Sequence, residues 1–332
     1  MDFHAEFFPK PFISKINHHH KLLLAGSCFT EQIGAKLSKH KFNVLDNPNG
    51  ILFNPVSIAD SVRSYIHHKT YKPEDLFWYN ELWGSWDHHT RFSNIDREVV
   101  LEGINDSQAK AHGFLKSADW ILLTLGSAFV YEMEGGRVVA NCHKVPTDKF
   151  TKKLLSVEEV VKVLGDSLKE LFEFNPGIKV IFTISPVRHL RDGFIENNFS
   201  KATLIHAVHQ LIEKYNAAQY FPAYELIIDD LRDYRFFAED MVHPNYAATN
   251  YVWEKFIQAA IDESSQKLMK EIAVINAARD HKAFNPTSQQ HKKFLQAHLE
   301  KVKKLQMEHD YLDLDEEARY FGGVDISRVD IS

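Results

Sequence analysis

Five short apolar runs, each followed by turn residues and then by helical spacing, constrain this chain more than any other feature. They predict parallel strands joined by crossover helices. The runs are Leu22 to Ala25, Phe42 to Leu45, Trp120 to Leu125, Ile178 to Ile184 and Tyr224 to Ile228. Between them, helices are expected over Thr30 to His40, Ile58 to Tyr65, Asp96 to Lys116, Val157 to Phe172 and Lys201 to Tyr215. Strands alternating with helices are the mark of the α/β class. The fourth helix carries its own start signal, Ser156 with Glu159 three positions on, a capping box that satisfies two orphan backbone donors. Asn175-Pro176-Gly177 marks its end. A small hairpin is expected from Phe129 to Met133 and Arg137 to Ala140, around Gly135-Gly136.

The segment from His67 to Asp96 fits neither a strand nor a long helix and is crowded with Phe77, Trp78, Tyr79, Trp83, Trp86, His88, His89 and Phe92. Long aromatic connections of this kind serve as lids and pocket walls, or simply as packed surface loops; His89 is read here as a substrate contact. Beyond Ile261 the composition shifts to charged helices, with Leu295, Leu299, Val302 and Leu305 on one face. The 332 residues therefore divide into an α/β domain over 1–261 and a helical extension over 262–332. That extension is a candidate surface for a partner or a second copy.

A net charge of −6 argues against sequence-independent nucleic-acid binding, which needs clustered Lys and Arg to displace phosphate counterions. A small-molecule or acylated substrate is the more natural expectation. Two cysteines, Cys28 and Cys142, are too few for a disulfide framework, and the N-terminus lacks the basic start and apolar stretch of a signal peptide. A cytoplasmic location is expected. No apolar run approaches the ~18 residues of a bilayer span. The histidine pairs and the run His18 to His20 invite a metal, but no His-Glu-x-x-His or paired Cys-x-x-Cys motif is present, and no phosphate or dinucleotide loop. No metal and no cofactor is expected.

The sharpest local signal is Leu22-Leu23-Leu24-Ala25-Gly26-Ser27-Cys28-Phe29-Thr30-Glu31, a strand that turns at a glycine straight into a helix. A nucleophile at such a turn is lifted clear of the sheet, beside helix amides that stabilise a thiolate and then an oxyanion. The plain alternative is that Ser27 only caps the helix and Cys28 is a small buried hydrophobe. Much later, Asp240-Met241-Val242-His243 precedes another helical run, from Tyr246 to Ile261. An Asp three residues before a His can orient one ring nitrogen and leave the other as a base, although capping explains many such pairs. Arg188 and His189 are expected at the end of the fourth strand, where an arginine can hold a carboxylate or phosphate of a substrate or simply form a surface ion pair. His143 beside Cys142 is a pocket residue, an alternative base, or a hairpin-end support.

Gly26-Ser27-Cys28-Phe29-Thr30-Glu31 resembles the Gly-Asp-Ser-Leu start of the SGNH/GDSL hydrolases, and Asp240-x-x-His243 resembles their final block. The wording Gly-Ser-Cys-Phe is that of the GSCFA family within the superfamily. Asn47-Pro48-Asn49-Gly50-Ile51 with Asn54-Pro55, Leu125-Gly126-Ser127-Ala128, and Asn141-Cys142-His143-Lys144-Val145-Pro146 read like the same family. So do Ser185-Pro186-Val187-Arg188, Ser200-Lys201 and the stretch from Leu231 to Phe236, so that the resemblance spans roughly residues 20–260. It implies a flavodoxin-like doubly wound parallel sheet of order 2-1-3-4-5 with its site at the carboxyl ends of the strands. It also implies a hydrolase or acyltransferase acting on ester-like acyl groups. Matched residue by residue, the catalytic serine falls on Cys28, with Ser27 in the aspartate's place, so that the acyl-enzyme is a thioester. The oxyanion donors fall on the amides of Cys28 and Gly50. The third, an asparagine in the superfamily, is replaced by Ala128, and Ser127 is the nearest substitute. Loss of such a donor costs ~10²–10³ in turnover. A Ser27 nucleophile, or a binding module that kept the fold and lost the reaction, are the competing readings.

Overall fold

The computed structural model describes residues 4–323; residues 1–3 and 324–332 of the expected two-part division lie outside the described residues. The chain runs β1 (Lys21–Gly26), α1 (Cys28–Lys39), β2 (Asn43–Asp46), α2 (Pro55–Ile66), β3 (Leu76–Tyr79), β4 (Leu82–Ser85), α3 (Arg97–Leu115), β5 (Trp120–Leu125), β6 (Phe129–Glu132) and β7 (Thr151–Leu154). It continues with α4 (Val157–Phe174), β8 (Lys179–Ile184), α5 (Phe194–Lys214), β9 (Ala218–Phe221), α6 (Ala223–Glu225), α7 (Tyr246–Ala260), α8 (Glu263–Asp280), α9 (Gln289–Glu308) and α10 (Asp315–Phe321). The main sheet is parallel, ordered β2-β1-β5-β8-β9. Renumbered within the sheet, this is the doubly wound order 2-1-3-4-5.

Both faces of the sheet are covered, which explains why β5 and β8 read as unbroken apolar runs rather than as alternation. Leu23, Ile121, Leu123, Val180 and Phe182 pack under α2, α3, α4 and α5. Leu22, Leu24, Trp120, Leu122 and Ile181 pack under α1 and α7. The capping box of α4 forms, with the Ser156 amide donating to Glu159 and the Glu159 amide to Ser156.

Three local expectations change. The fifth strand is Ala218–Phe221, paired with Val180 to Thr183, and not Tyr224 to Ile228. Pro222 has no amide to extend the ladder, and the chain beyond it coils into α6 and a π-helical stretch, Leu226–Leu231, that buries Leu226 and Ile227 among the residues beneath α7. A short apolar run cannot be told from a buried helical segment by periodicity. The turn at Gly135-Gly136 does close, with the Met133 amide donating to the Arg137 carbonyl, yet the ladder partner of β6 is β7. The aromatic segment contains a true hairpin, β3 with β4, where Trp78 and Trp83 are register partners.

The C-terminal helices have an apolar cluster of their own, in which Val302 and Leu305 are buried and Leu295 and Leu299 pack partly covered. The leucine stripe expected from the sequence is thus turned inward. Helix α8 also reaches the main domain, through Met269 in the cluster beneath α7 and through Asn276, which donates to the Lys39 carbonyl at 2.7 Å. Glu317, only 2% exposed, is shared between Lys41 at 2.8 Å and Arg279 at 3.0 Å. Among the described residues no helix is long and apolar enough to cross a membrane.

Two stability measurements follow from these contacts. Replacing Glu317→Ala strips one buried carboxylate from two cations, and urea melts should show a loss of ~3 kcal/mol. His88 is fully buried between the rings of Tyr71 and Phe92, with Nδ1 at 2.9 Å from the Ser85 hydroxyl, and burial pushes its pKa from 6.5 down to about 3. Between those values the unfolded chain takes up a proton that the folded chain refuses. Stability is therefore complete above pH 6.5 and lost as pH falls toward 3. Melts of His88→Gln across pH 4–6 should show a slope shallower by about 1.4 kcal/mol per pH unit; an unchanged slope would refute the assignment.

Candidate active site

The turn from β1 into α1 is held from three sides. Gly26 has φ +146, and a Cβ there would collide with the backbone of Thr124, so only glycine lets β1 and β5 approach this closely. Its amide donates to the Asn47 side chain at 2.8 Å, and its carbonyl accepts from Leu52 at 2.9 Å. The next amide, of Ser27, donates to the Thr124 carbonyl at 3.2 Å. Ser27 is 1% exposed and its hydroxyl accepts from the Phe29 amide at 3.3 Å, the N-cap role that its type favours.

Cys28 is the first residue of α1 and is half-buried. Burial pushes its thiol pKa up from 9.0, while the amides of Phe29 and Cys28 itself pull it down; Glu31 adds to the rise and Lys201 opposes it. Helix amides at a sulfur favour its thiolate form.

The Asp240 block fixes a histidine ring by hydrogen bonds within a few residues. One Asp240 oxygen accepts from the amides of Val242 at 2.9 Å and His243 at 3.0 Å, and the other meets His243 Nδ1 at 2.6 Å. These hydrogen bonds, the His243 amide first, hold the Asp240 carboxyl down at about 2. An ionised carboxylate only accepts, so Nδ1 carries the hydrogen, and in the neutral ring Nε2 keeps its lone pair. The block is tied to the end of β8, because the Arg188 amide donates to the Val242 carbonyl at 3.1 Å.

The other expected residues fall into two groups. Arg188 lies over the rings of Phe237 at 4.1 Å and Tyr234 at 5.1 Å, and its Nη1 is buried with no partner among the described residues. His89 folds over Gly50, whose Cβ position its own Cβ occupies, and its amide donates to the Asn49 carbonyl at 2.9 Å. Arg91 completes that roof and pairs with Glu31 of α1 at 2.9 Å. His143 instead supports the aromatic hairpin: its Nε2 donates to the Ser85 carbonyl at 2.9 Å and its ring meets Phe77 edge-on.

The amides of Gly50 and Ser127 are already spent. Gly50 donates to the Asn47 carbonyl at 2.7 Å, and Ser127 to the Phe53 carbonyl at 3.0 Å. The Ser127 hydroxyl lies 3.2 Å from that of Ser200 and accepts from Phe129. Use of either amide as an oxyanion donor requires one of these bonds to open.

Two residues in this region carry more than the sequence reading assigned to them. His189 is mostly buried, its pKa pushed down to about 4 by burial and then by Lys201, and its Nε2 lies 3.3 Å from where a side chain on Gly126 would begin. Lys201 is 1% exposed and donates to the carbonyls of Gly126 and Ser185. A signal for Lys201 existed: counting back from Leu211, Val208 and Leu204 along the buried face of α5 lands on it.

A separate cavity of about 760 Å³ is lined by Asn49, Asp60, Arg63, Lys69, Asp87 and Arg137 among others, and by neither Cys28 nor His243. Among the described residues no three His, Cys, Asp or Glu side chains are grouped to hold a metal ion.

No curated protein matches the chain. Solved structures that overlay on it include a Streptococcus pneumonia protein named for platelet activating factor, at 14% identity and TM-score 0.39, covering 74% of this chain and 84% of that one. A carbohydrate esterase family 3 protein from Talaromyces cellulolyticus overlays at 10% identity and TM-score 0.36, covering 77% and 99%. An acetyl xylan esterase from Butyrivibrio proteoclasticus overlays at 12% and 0.36, covering 77% and 65%. Overlaps this weak say nothing about chemistry. The family models are decisive: the GSCFA family model matches residues 21–256 and that of the GSCFA domain protein C-terminal domain matches 272–322. With the larger match spanning the sheet, the Cys28 turn and the Asp240 block, the chain belongs to the GSCFA family.

Proposed function

We propose that this protein is a hydrolase or acyltransferase acting on an ester-like acyl substrate, with Cys28 as nucleophile, His243 as base and Asp240 as its orienter. The observation that carries this reading is a half-buried thiol at the N-terminus of α1, in a fold whose other sheet-end block holds His243 Nδ1 against Asp240 at 2.6 Å. His243 Nε2 takes the thiol proton as sulfur attacks the acyl carbon, and the carbonyl electron pair moves onto oxygen. Collapse of that intermediate breaks the carbon–oxygen bond, and the imidazolium returns the proton to the leaving alcohol. Water or another acceptor, deprotonated by the same nitrogen, then cleaves the thioester and restores the thiol.

The Cys28 amide at the start of α1 serves as an oxyanion donor. Gly50 and Ser127 were the other two expected donors, and their present hydrogen bonds make each conditional on local rearrangement. Arg188, a cation held by aromatic rings with an unpartnered buried Nη1, suits a carboxylate or phosphate on the substrate, and His89 forms part of the roof. Ser27 is weaker as a nucleophile because its hydroxyl is buried in the cap. A reducing cytoplasm suits this chemistry, since it keeps both cysteines as free thiols. The spent amides favour a second reading, a ligand-binding module of the same fold without turnover.

Intact-mass measurement after exposure to a panel of activated esters near neutral pH separates these readings. The unaltered protein and Ser27→Ala should both gain an acyl adduct, Cys28→Ala none, and His243→Ala should acylate ~10²-fold more slowly or worse. An adduct that survives Cys28→Ala overturns the assignment. Saturable binding with no adduct in any folded variant would establish the silent module.

A further inference from the structure

Lys201 occupies a position that the proposed chemistry leaves unexplained. It sits in the apolar stripe of α5, ahead of Leu204, Val208 and Leu211. Its ammonium donates to the Gly126 carbonyl at 2.6 Å and the Ser185 carbonyl at 2.7 Å, each one residue beyond the end of a strand, β5 and β8. An ammonium has three hydrogens, so one is left over. The other buried lysine among the described residues, Lys255, meets the Glu6 carboxylate at 2.7 Å. Lys201 has no carboxylate partner among the described residues, and a buried charge without a counter-charge is costly. Gly126 lies two residues beyond Thr124, the register partner of Gly26, so the Lys201 anchor and the Cys28 turn share the β1–β5 edge. Burial pushes the lysine pKa down to about 7, and the one opposing influence is the charge of Cys28. The remaining groups around the pair are Glu31 on α1, which disfavours the thiolate, His189 after β8, which feels Lys201 and His243, and the Tyr224 ring 5.9 Å from the ammonium.

We propose that Lys201 is a positioning charge for Cys28: its ammonium is held by two strand-end carbonyls so that the negative charge formed on the sulfur becomes its missing counter-ion. This rests on Cys28 as the reactive group. It also answers the shortage of free amides, because a fixed cation in a dry site stabilises developing charge without reorganising. The two ionisations are then mutually dependent: thiolate formation raises the lysine pKa, and the charged lysine lowers that of the thiol, by the same amount.

The test reads the thiol directly and needs no substrate, so its failure is distinct from failure of the ester-adduct experiment. In a Cys142→Ser background, the rate of iodoacetamide alkylation at Cys28 is followed against pH. Both Lys201→Gln, which can still donate to the two carbonyls, and Lys201→Met should move the midpoint upward by about one pH unit or more. A folded Lys201→Gln protein with the parental midpoint overturns the proposal, and if only Lys201→Met shifts, the lysine is a brace and the proposal falls. If neither variant folds, the titration of Lys201 in the Cys142→Ser protein, followed by carbon NMR at its ε position, decides. Capping Cys28 with iodoacetamide should lower that midpoint, and an unchanged midpoint overturns the inference.

Discussion

The close approach of Gly26 to Thr124 sets the geometry on which the rest of the carboxyl edge depends. Two parallel strands, β1 and β5, run side by side until Gly26 turns, and a side chain at that point would collide with the neighbouring backbone. Because the contact is backbone against backbone, the turn cannot drift, and α1 starts at one fixed place above the sheet. The same residue receives the Asn47 side chain on its amide and Leu52 on its carbonyl, which brings the loop after β2 to the same edge. Cys28, two residues beyond Gly26, inherits its position from this network.

Hydrogen-bond supply is the second constraint, and it gives the site its character. Gly50 and Ser127 commit their amides to carbonyls within the edge, and Ser27 commits its hydroxyl to the helix cap. Among the described residues, what stays uncommitted at this edge includes Arg188 with a buried Nη1, His189 with a buried Nε2, the buried hydroxyls of Thr124 and Thr183, and the third hydrogen of Lys201. Buried donors without partners are uncommon because each costs free energy. Several of them lie at the carboxyl edge. The roof of His89 and Arg91 over Gly50, backed by the aromatic hairpin, narrows that edge from one side.

Much of the architecture was legible because parallel strands covered on both faces leave a strong one-dimensional trace. Four of the five expected runs overlap strands of the sheet, and the α4 capping box and the Asp96 start of α3 hold as read. The fifth run failed for a local reason: Tyr224 to Ile228 is apolar because it is buried as coiled chain beneath α7, while the less apolar Ala218–Phe221 takes the ladder up to Pro222. The β6–β7 ladder escaped notice because its strands are separated by a loop longer than the Gly135-Gly136 turn that marks the nearer contact.

The sequence by itself determined the alternation of strands and helices, the turn that carries Cys28 and the Asp240–His243 pair, since each rests on residues adjacent in the chain or repeating with a helix or strand period. Only the tertiary structure decided which amides are free, where Arg188 finds its aromatic neighbours, and that Lys201 lies buried with no carboxylate partner among the described residues. Those outcomes depend on groups brought together from distant segments. Lys201 and Gly126 are 75 residues apart, and no local pattern encodes the loss of water around an ammonium held between two strand ends.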